Sequence, residues 1–196
     1  LAAELKADFE WAKSIAVGPG LSMNVAAAEI TRCVLERDDK VRILDADALN
    51  IIAGEHIDYK GSREGQIIIT PHIMEMSRLT GKAVADIKEH MIESAKEYAI
   101  QHSCICILKD ARTVVTDGQK VYINCTGNDG MSTGGCGDVL TGLIAGMTAM
   151  GLDAFEAACL SVYVHGKAGD YAASGKGRAG MTAADVSEAI AYVLKR

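Results

Sequence analysis

The sequence predicts an α/β fold, a single compact domain built around a mostly parallel sheet. Three observations carry that prediction. Short, almost wholly apolar runs alternate with longer stretches whose apolar residues recur at helical spacing, the order of strand, turn and helix found in doubly wound folds. The strand-like runs end in glycine, proline or acidic residues, which break periodicity and turn the chain. At 196 residues with 49% apolar content, the length suits one domain, residues 1–196, with a sizeable core.

Residues 2–13 read as an amphipathic helix, and because the chain begins at Leu1 rather than methionine a fragment or a processed product is expected. Ser14 to Val17 is the first strand, ended by Gly18-Pro19-Gly20-Leu21-Ser22. That turn is either a plain strand-to-helix loop or a close backbone approach to a ligand at a strand's carboxyl end. Val25 to Arg37 is the next helix. Val41 to Leu44 follows as a strand with Asp45 and Asp47 at its end; such carboxylates serve as cap and solvated neighbour, or face a ligand crevice. A third strand, Gln66 to Ile69, leads through Thr70 as cap and Pro71 in a first helical turn into a helix carrying His72, Glu75, Met76 and Leu79. His72 and Glu75 share one helical face, a spacing that also describes a capping pattern.

Val84 to His102 reads as one long outer helix. Ser103 to Leu108 is the fourth strand. It delivers Lys109 to Thr113, then a hairpin of Val114 to Thr116, an Asp117-Gly118 turn, and Val121 to Asn124. The last helices are Val139 to Met150, Phe155 to Ala173 and, after a loop at Gly175 to Gly180, Met181 to Leu194 with its cap at or near Thr182. His165, on so apolar a face, reads as a satisfied core or interface histidine.

A net charge of −6 without any Lys/Arg cluster argues against nucleic acid or an anionic membrane as the main partner and leaves small-molecule chemistry. The six cysteines, Cys33, Cys104, Cys106, Cys125, Cys136 and Cys159, show no Cys-x-x-Cys pair or zinc spacing and read as buried, reduced thiols of a cytoplasmic protein. The residues of this chain show no charged-then-apolar stretch and no apolar run of transmembrane length, so nothing in them points to secretion or a membrane span.

The chemistry is concentrated in Gly127-Asn128-Asp129-Gly130-Met131-Ser132-Thr133-Gly134-Gly135-Cys136-Gly137-Asp138-Val139-Leu140-Thr141-Gly142, a glycine-dense loop running into a helix. Gly134, Gly135 and Gly137 allow positive φ and let backbone N–H groups converge, and the helix N-terminus adds roughly half a positive charge. Such a loop holds an anion, or is only a tight turn with an aspartate cap. Asp138 beside it can take a proton from a hydroxyl lying next to a bound phosphate, so loop and carboxylate together describe phosphoryl transfer. Cys136 at a helix N-terminus is either a thiol of lowered pKa and a candidate nucleophile or a small space-filling residue. The Walker lysine signature is absent.

This string resembles the Gly-x-Gly-Asp anion-hole motif of the ribokinase-like superfamily, in the version carried by the NAD(P)H-hydrate dehydratases. Gly18-Pro19-Gly20-Leu21, Leu44-Asp45-Ala46-Asp47-Ala48-Leu49-Asn50, Thr70-Pro71-His72-x-x-Glu75 and Leu108-Lys109-Asp110-x-x-Thr113 resemble further family runs in the same order. The resemblance implies a ribokinase-like three-layer α/β/α sandwich with a mostly parallel sheet, N-terminally incomplete: relatives carry a preceding portion with a first strand and a glycine-alanine segment, and without it the sheet is expected to lose inner strands. The implied activity is repair of hydrated NADH or NADPH, by phosphorylation of the C6 hydroxyl and loss of phosphate, with ADP or ATP as donor and Mg2+ as cofactor. By the same resemblance Asp138 is the base, while the amides of Gly135, Cys136 and Gly137 stabilise the transferring phosphoryl. Gly20, His72 and Asp138 meet the substrate, and Lys109, Asp110, Ala111, Arg112, Thr113 and Gly137 seat the nucleotide. Glu75 helps hold magnesium through water, and the assembly is a homo-oligomer, a tetramer in the family. Met74 and Asp110 stand where relatives have glycine. A ribokinase-like kinase of a vitamin alcohol or sugar, and an inactive nucleotide-binding or assembly remnant, are the alternative readings.

Overall fold

The computed structural model describes residues 2–61 and 67–195. Among the described residues six strands form one sheet in sequential order: β1 (Ser14–Val17), β2 (Val41–Leu44), β3 (Ile67–Ile69), β4 (Ile105–Leu108), β5 (Val114–Thr116) and β6 (Val121–Ile123). The first four are parallel, in register Ile15↔Arg42↔Ile67 and Ile68↔Ile105, and the last two close the sheet as an antiparallel hairpin on β4. Gln66, expected to open the third strand, lies outside the described residues.

Parallel neighbours in chain order need crossovers of one hand, which puts every connecting helix between β1 and β4 on the same face. These are α2 (Val25–Leu35), α3 (Ala46–Gly54), α4 (Ile73–Thr80), α5 (Val84–Glu89) and α6 (Met91–His102), with α1 (Ala2–Trp11) against α2. The other face is covered by α7 (Cys136–Ala149) and α8 (Ala154–Lys176), with α9 (Ala183–Val193) packed on both. Strands between two helical layers need no polar face, which is why β3 is Ile-Ile-Ile. Ile67 and Ile69 pack with Leu49, Met76 and Tyr98, while Ile68 between them packs with Leu140, Ile144 and Val162. The three-layer sandwich is thus present, with β1 at one edge of the sheet and β6 at the other.

Several expected boundaries move, each because a distant partner outweighs a local signal. Thr70 does not cap α4: its N–H and Oγ1 both donate to the Leu44 carbonyl, and the Pro71 carbonyl accepts from Lys109 N at 2.8 Å. The ladders of β2, β3 and β4 therefore run on through Thr70 and Pro71, and His72 becomes the cap. The long helix expected at 84–102 breaks at His90 (φ −126°, ψ 51°) into α5 and α6; without glycine or proline there, periodicity runs through the break unmarked. Helix α7 begins at Cys136 rather than Val139, so Gly137 and Asp138 belong to its first turn. Helix α8 continues through Gly175 to Lys176, and Met181 stays in the loop before the Thr182 cap, which forms a capping box with Asp185.

Candidate functional site

The carboxyl ends of β1 to β4 each deliver one residue to a crevice, the place where open α/β sheets bind ligands: Gly18, Asp45, His72 and Lys109. Helix α7 begins above them. Gly135 is its cap at φ 91°; Gly134 and Gly137 keep ordinary φ, so only one of the three expected positive-φ glycines is used that way. Gly137 instead lies over Lys109 at ordinary contact distance. A Cβ there would lie 3.5 Å from Lys109 Nζ. The first-turn amides have no intrahelical acceptors; that of Cys136 turns back to the Thr133 carbonyl at 3.4 Å.

Two cavities meet at this helix start. The larger, about 620 Å3, is lined by Lys109 to Thr113, by residues 126–129 and 131–133, and by His72, Cys136, Gly137 and His165. The second, about 460 Å3, is largely apolar, lined by Ile15, Gly18, Pro19, Leu21 and Val34 together with Asp138 and Thr141. Gly137 and Asp138 are consecutive yet open onto different cavities. Asp138 is exposed, and no hydrogen bond or ion pair engages its carboxylate among the described residues. Gly20 is exposed with nothing within 4 Å of its Cβ position, and it is Gly18, not Gly20, that lines the apolar cavity.

His72 and Glu75 form a capping box. Nδ1 of His72 accepts from the amides of Met74 and Glu75 at 3.1 and 3.2 Å, and Glu75 Oε2 accepts from His72 N at 2.8 Å. With Nδ1 an acceptor, the ring proton sits on Nε2, 3.3 Å from Glu75 Oε1. Burial, then the charges of Lys109 and Arg78, hold the His72 pKa below its ordinary value, and burial raises that of Glu75. Among the described residues no three His, Cys, Asp or Glu side chains gather into a metal cage.

Asp45 answers the question of which carboxylate faces inward. It is 1% exposed and accepts from Lys109 Nζ at 2.8 Å and Thr141 Oγ1 at 2.7 Å. Asp47 turns the other way and accepts from Ser22 N at 2.7 Å, tying the Gly18 turn to α3. Asp110 folds onto its neighbour, Oδ1 accepting from Ala111 N at 2.8 Å, while its carbonyl receives Thr113 Oγ1. Arg112 bonds the Ala111 carbonyl, so the 110–113 turn is braced from within. The Cys136 thiol is buried and burial pushes its pKa up, which favours the space-filling residue over the candidate nucleophile. All six cysteines are free, but Cys125 is exposed and Cys33 and Cys159 are only half-buried.

A second group of site residues escaped sequence reasoning. On α8, Asp170 accepts from Gly127 N and from Asn128 Nδ2, both at 3.1 Å, and Thr126 Oγ1 donates to the Tyr163 carbonyl at 3.0 Å. A Cβ at Gly166 would sit 2.1 Å from Thr126 Oγ1, and one at Gly169 2.2 Å from Met131 Sδ. Helix α8 is therefore the wall on which the 126–131 loop is laid. The available signal was His165-Gly166-x-x-Gly169-Asp170, two glycines and a charge in an apolar helix.

His165 is not the satisfied core histidine expected. It is 9% exposed, its Nε2 is buried without a partner among the described residues, and its ring lines the larger cavity. Burial, opposed by the Cys136 carbonyl and aided by the charge of Lys109, lowers its pKa to about 4. The folded state thus resists a proton that the unfolded chain accepts below about pH 6.5. Stability is unaffected above that pH and falls between about pH 6.5 and about 4, by roughly 3 kcal/mol in all. Urea unfolding at pH 7 and pH 4.5 tests this: His165→Gln should lose markedly less stability on acidification than the wild type, and equal losses would show that the ring is not held neutral.

The fold and the crevice define an α/β protein of the ribokinase-like type, with a solved ribokinase-like superfamily protein from Enterococcus faecalis 27% identical at a TM-score of 0.86, covering 97% of this chain and 66% of that one. The model of the NAD(P)H-hydrate dehydratase family matches residues 2–192, and the chain belongs to that family. The Bacillus subtilis ADP/ATP-dependent NAD(P)H-hydrate dehydratase, crystallised with ATP and Mg2+, is 33% identical with a TM-score of 0.83, over 92% of this chain and 65% of that one. The bifunctional NAD(P)H-hydrate repair enzyme of Moorella thermoacetica is 45% identical over 183 residues, 92% of this chain. The chain spans about a third (34%) of that relative's length.

Proposed function

We propose that these 196 residues form one domain that dehydrates hydrated NADH and NADPH at the expense of ADP or ATP. The observation that carries this reading is the start of α7, where Gly137 opens onto one cavity and Asp138 onto the next. A nucleotide in the larger cavity, against Lys109 to Thr113, would bring its terminal phosphate to the α7 amides. The hydrated nicotinamide would approach from the apolar side. Its C6 hydroxyl oxygen then attacks phosphorus, Asp138 takes the hydroxyl proton, and the bond from phosphorus to the departing nucleotide oxygen breaks. Inorganic phosphate leaves with the C6–O bonding pair, the ring nitrogen lone pair filling in behind it, and loss of a proton from C5 to water restores the C5=C6 double bond of the dihydronicotinamide. His72 lines the larger cavity and not the apolar one, so its Nε2–H would reach the substrate only where the two cavities join at the start of α7.

Mg2+ bound with the nucleotide would neutralise phosphate charge. Glu75 fits such an ion only through water: its two oxygens already serve His72, and magnesium keeps much of its hydration shell. A cytoplasmic homo-oligomer is the setting the family resemblance supports, and among the described residues no helix is long and apolar enough to cross a membrane.

Hydrated NADH supplied with Mg2+ and either nucleotide should give a rise in reduced-nicotinamide absorbance matched by release of inorganic phosphate. A stable phosphorylated product from a vitamin alcohol or sugar, with no such rise, would make the protein a small-molecule kinase instead. Nucleotide binding without any turnover would leave only the remnant.

A further inference from the structure

Asp45 is placed at the cap position of α3, in extended backbone, and its carbonyl accepts from Ala48 N at 3.1 Å, yet its side chain makes no capping bond. Ala46 beside it is held at φ 47°, the left-handed region that a residue with a Cβ seldom adopts. The local chain is bent away from its own preferences so that a buried carboxylate can point elsewhere. It points at Lys109 Nζ, 2.8 Å from Oδ1, while Thr141 Oγ1 fixes Oδ2 at 2.7 Å. The three groups come from the end of β2, the end of β4 and the second turn of α7. A Cβ at Gly137 would lie 3.5 Å from the Lys109 nitrogen and 3.8 Å from Asp45 Oδ2. The ammonium is therefore seated directly under the first turn of α7, in contact range of it.

We infer that Asp45 is a positioning residue: it anchors the Lys109 ammonium beneath the α7 amides, so that the charge is already in place when a phosphoryl group arrives. This rests on the function proposed above. An ammonium has three donors; Asp45 takes one and leaves the others for phosphate oxygens. Lysine is otherwise a mobile point charge on a four-carbon stem, and stabilisation of developing charge depends on donors that do not have to reorganise. Thr141 sets the carboxylate in turn, from a helix position that also lines the Asp138 cavity.

The anchor predicts that binding and turnover separate. Asp45→Asn keeps the shape and the lysine charge, so ADP affinity measured by calorimetry should stay within about threefold, while turnover of hydrated NADH falls about 30-fold or more. Thr141→Val, which keeps the ion pair and loosens only the carboxylate, should show the same split at about 3- to 10-fold, and carries the test if the first variant fails to fold. Affinity and turnover falling together with melting temperature would overturn the inference, since a merely structural residue behaves that way. A readout without turnover is the side-chain 15N spectrum of the ADP complex. A slowly exchanging Lys109 ammonium in the wild type, lost in Asp45→Asn, supports the anchor even if the dehydratase reading fails; an ammonium held equally in both overturns it.

Discussion

Asp138→Asn is expected to reduce turnover of hydrated NADH by about 10^3-fold, within the range for loss of a general base, while leaving the protein folded. The carboxylate is exposed and engaged by no partner among the described residues, so nothing in the packing depends on it. Its structural contribution is limited to a negative charge in the first turn of α7, about 0.3–1 kcal/mol. Asparagine keeps the size and hydrogen-bonding reach but cannot take the proton from an attacking hydroxyl. Nucleotide affinity should change little, because the larger cavity is lined by Gly137 and not by its neighbour. Initial rates, calorimetric ADP binding and a thermal melt on both proteins make the comparison. More than a tenth of wild-type turnover in a well-folded variant would remove Asp138 as the base.

Gly18→Ala is expected to be the most damaging small substitution in the crevice. Gly18 has φ 127°, and a Cβ built there lies 1.7 Å from the Asp45 carbonyl oxygen and 2.8 Å from its carbon. Those are backbone atoms, and they cannot step aside alone because Asp45 N is hydrogen-bonded to the Val17 carbonyl at 3.1 Å. Overpacking plus a strained φ amounts to roughly 3 kcal/mol or more, a fall in melting temperature of about 6–12 °C for a domain of this size. The displaced residue is the one that holds Lys109, so activity should fall beyond what unfolding accounts for. Gly20→Ala is the control: its φ is 65° with open space around it, so only the left-handed strain of about 1–2 kcal/mol applies. Equal melting temperatures for the two variants would refute the close approach of β1 to Asp45.

The parts of the site legible in the sequence are those made by consecutive residues. The loop at 127–138 declares itself because glycine density, a helix start and an adjacent aspartate are local facts, and the structure places them at one helix N-terminus. The capping box of His72 and Glu75 was equally local. The parts that were not legible involve partners far apart in the chain. Asp45 and Asp47 look alike from their surroundings, and only Lys109, 64 positions on, and Thr141, 96 positions on, pick out the first. Asp170 gave no sign of its purpose until the fold laid Gly127 and Asn128 against it.

The sequence by itself determined the layers and pointed to the chemistry: continuous apolar strands require helices on both faces, and a glycine loop before Asp138 brings amides and a carboxylate together through rotations of a few neighbouring bonds. Tertiary structure alone decided which side each group serves. Where Thr70 and Pro71 could cap a helix they extend a ladder instead, and where His165 could be satisfied its Nε2 is left without a partner among the described residues. The physical reason is the same in each case: a local preference is worth about 1 kcal/mol, and the hydrogen bonds and burial supplied by remote strands and helices are worth more.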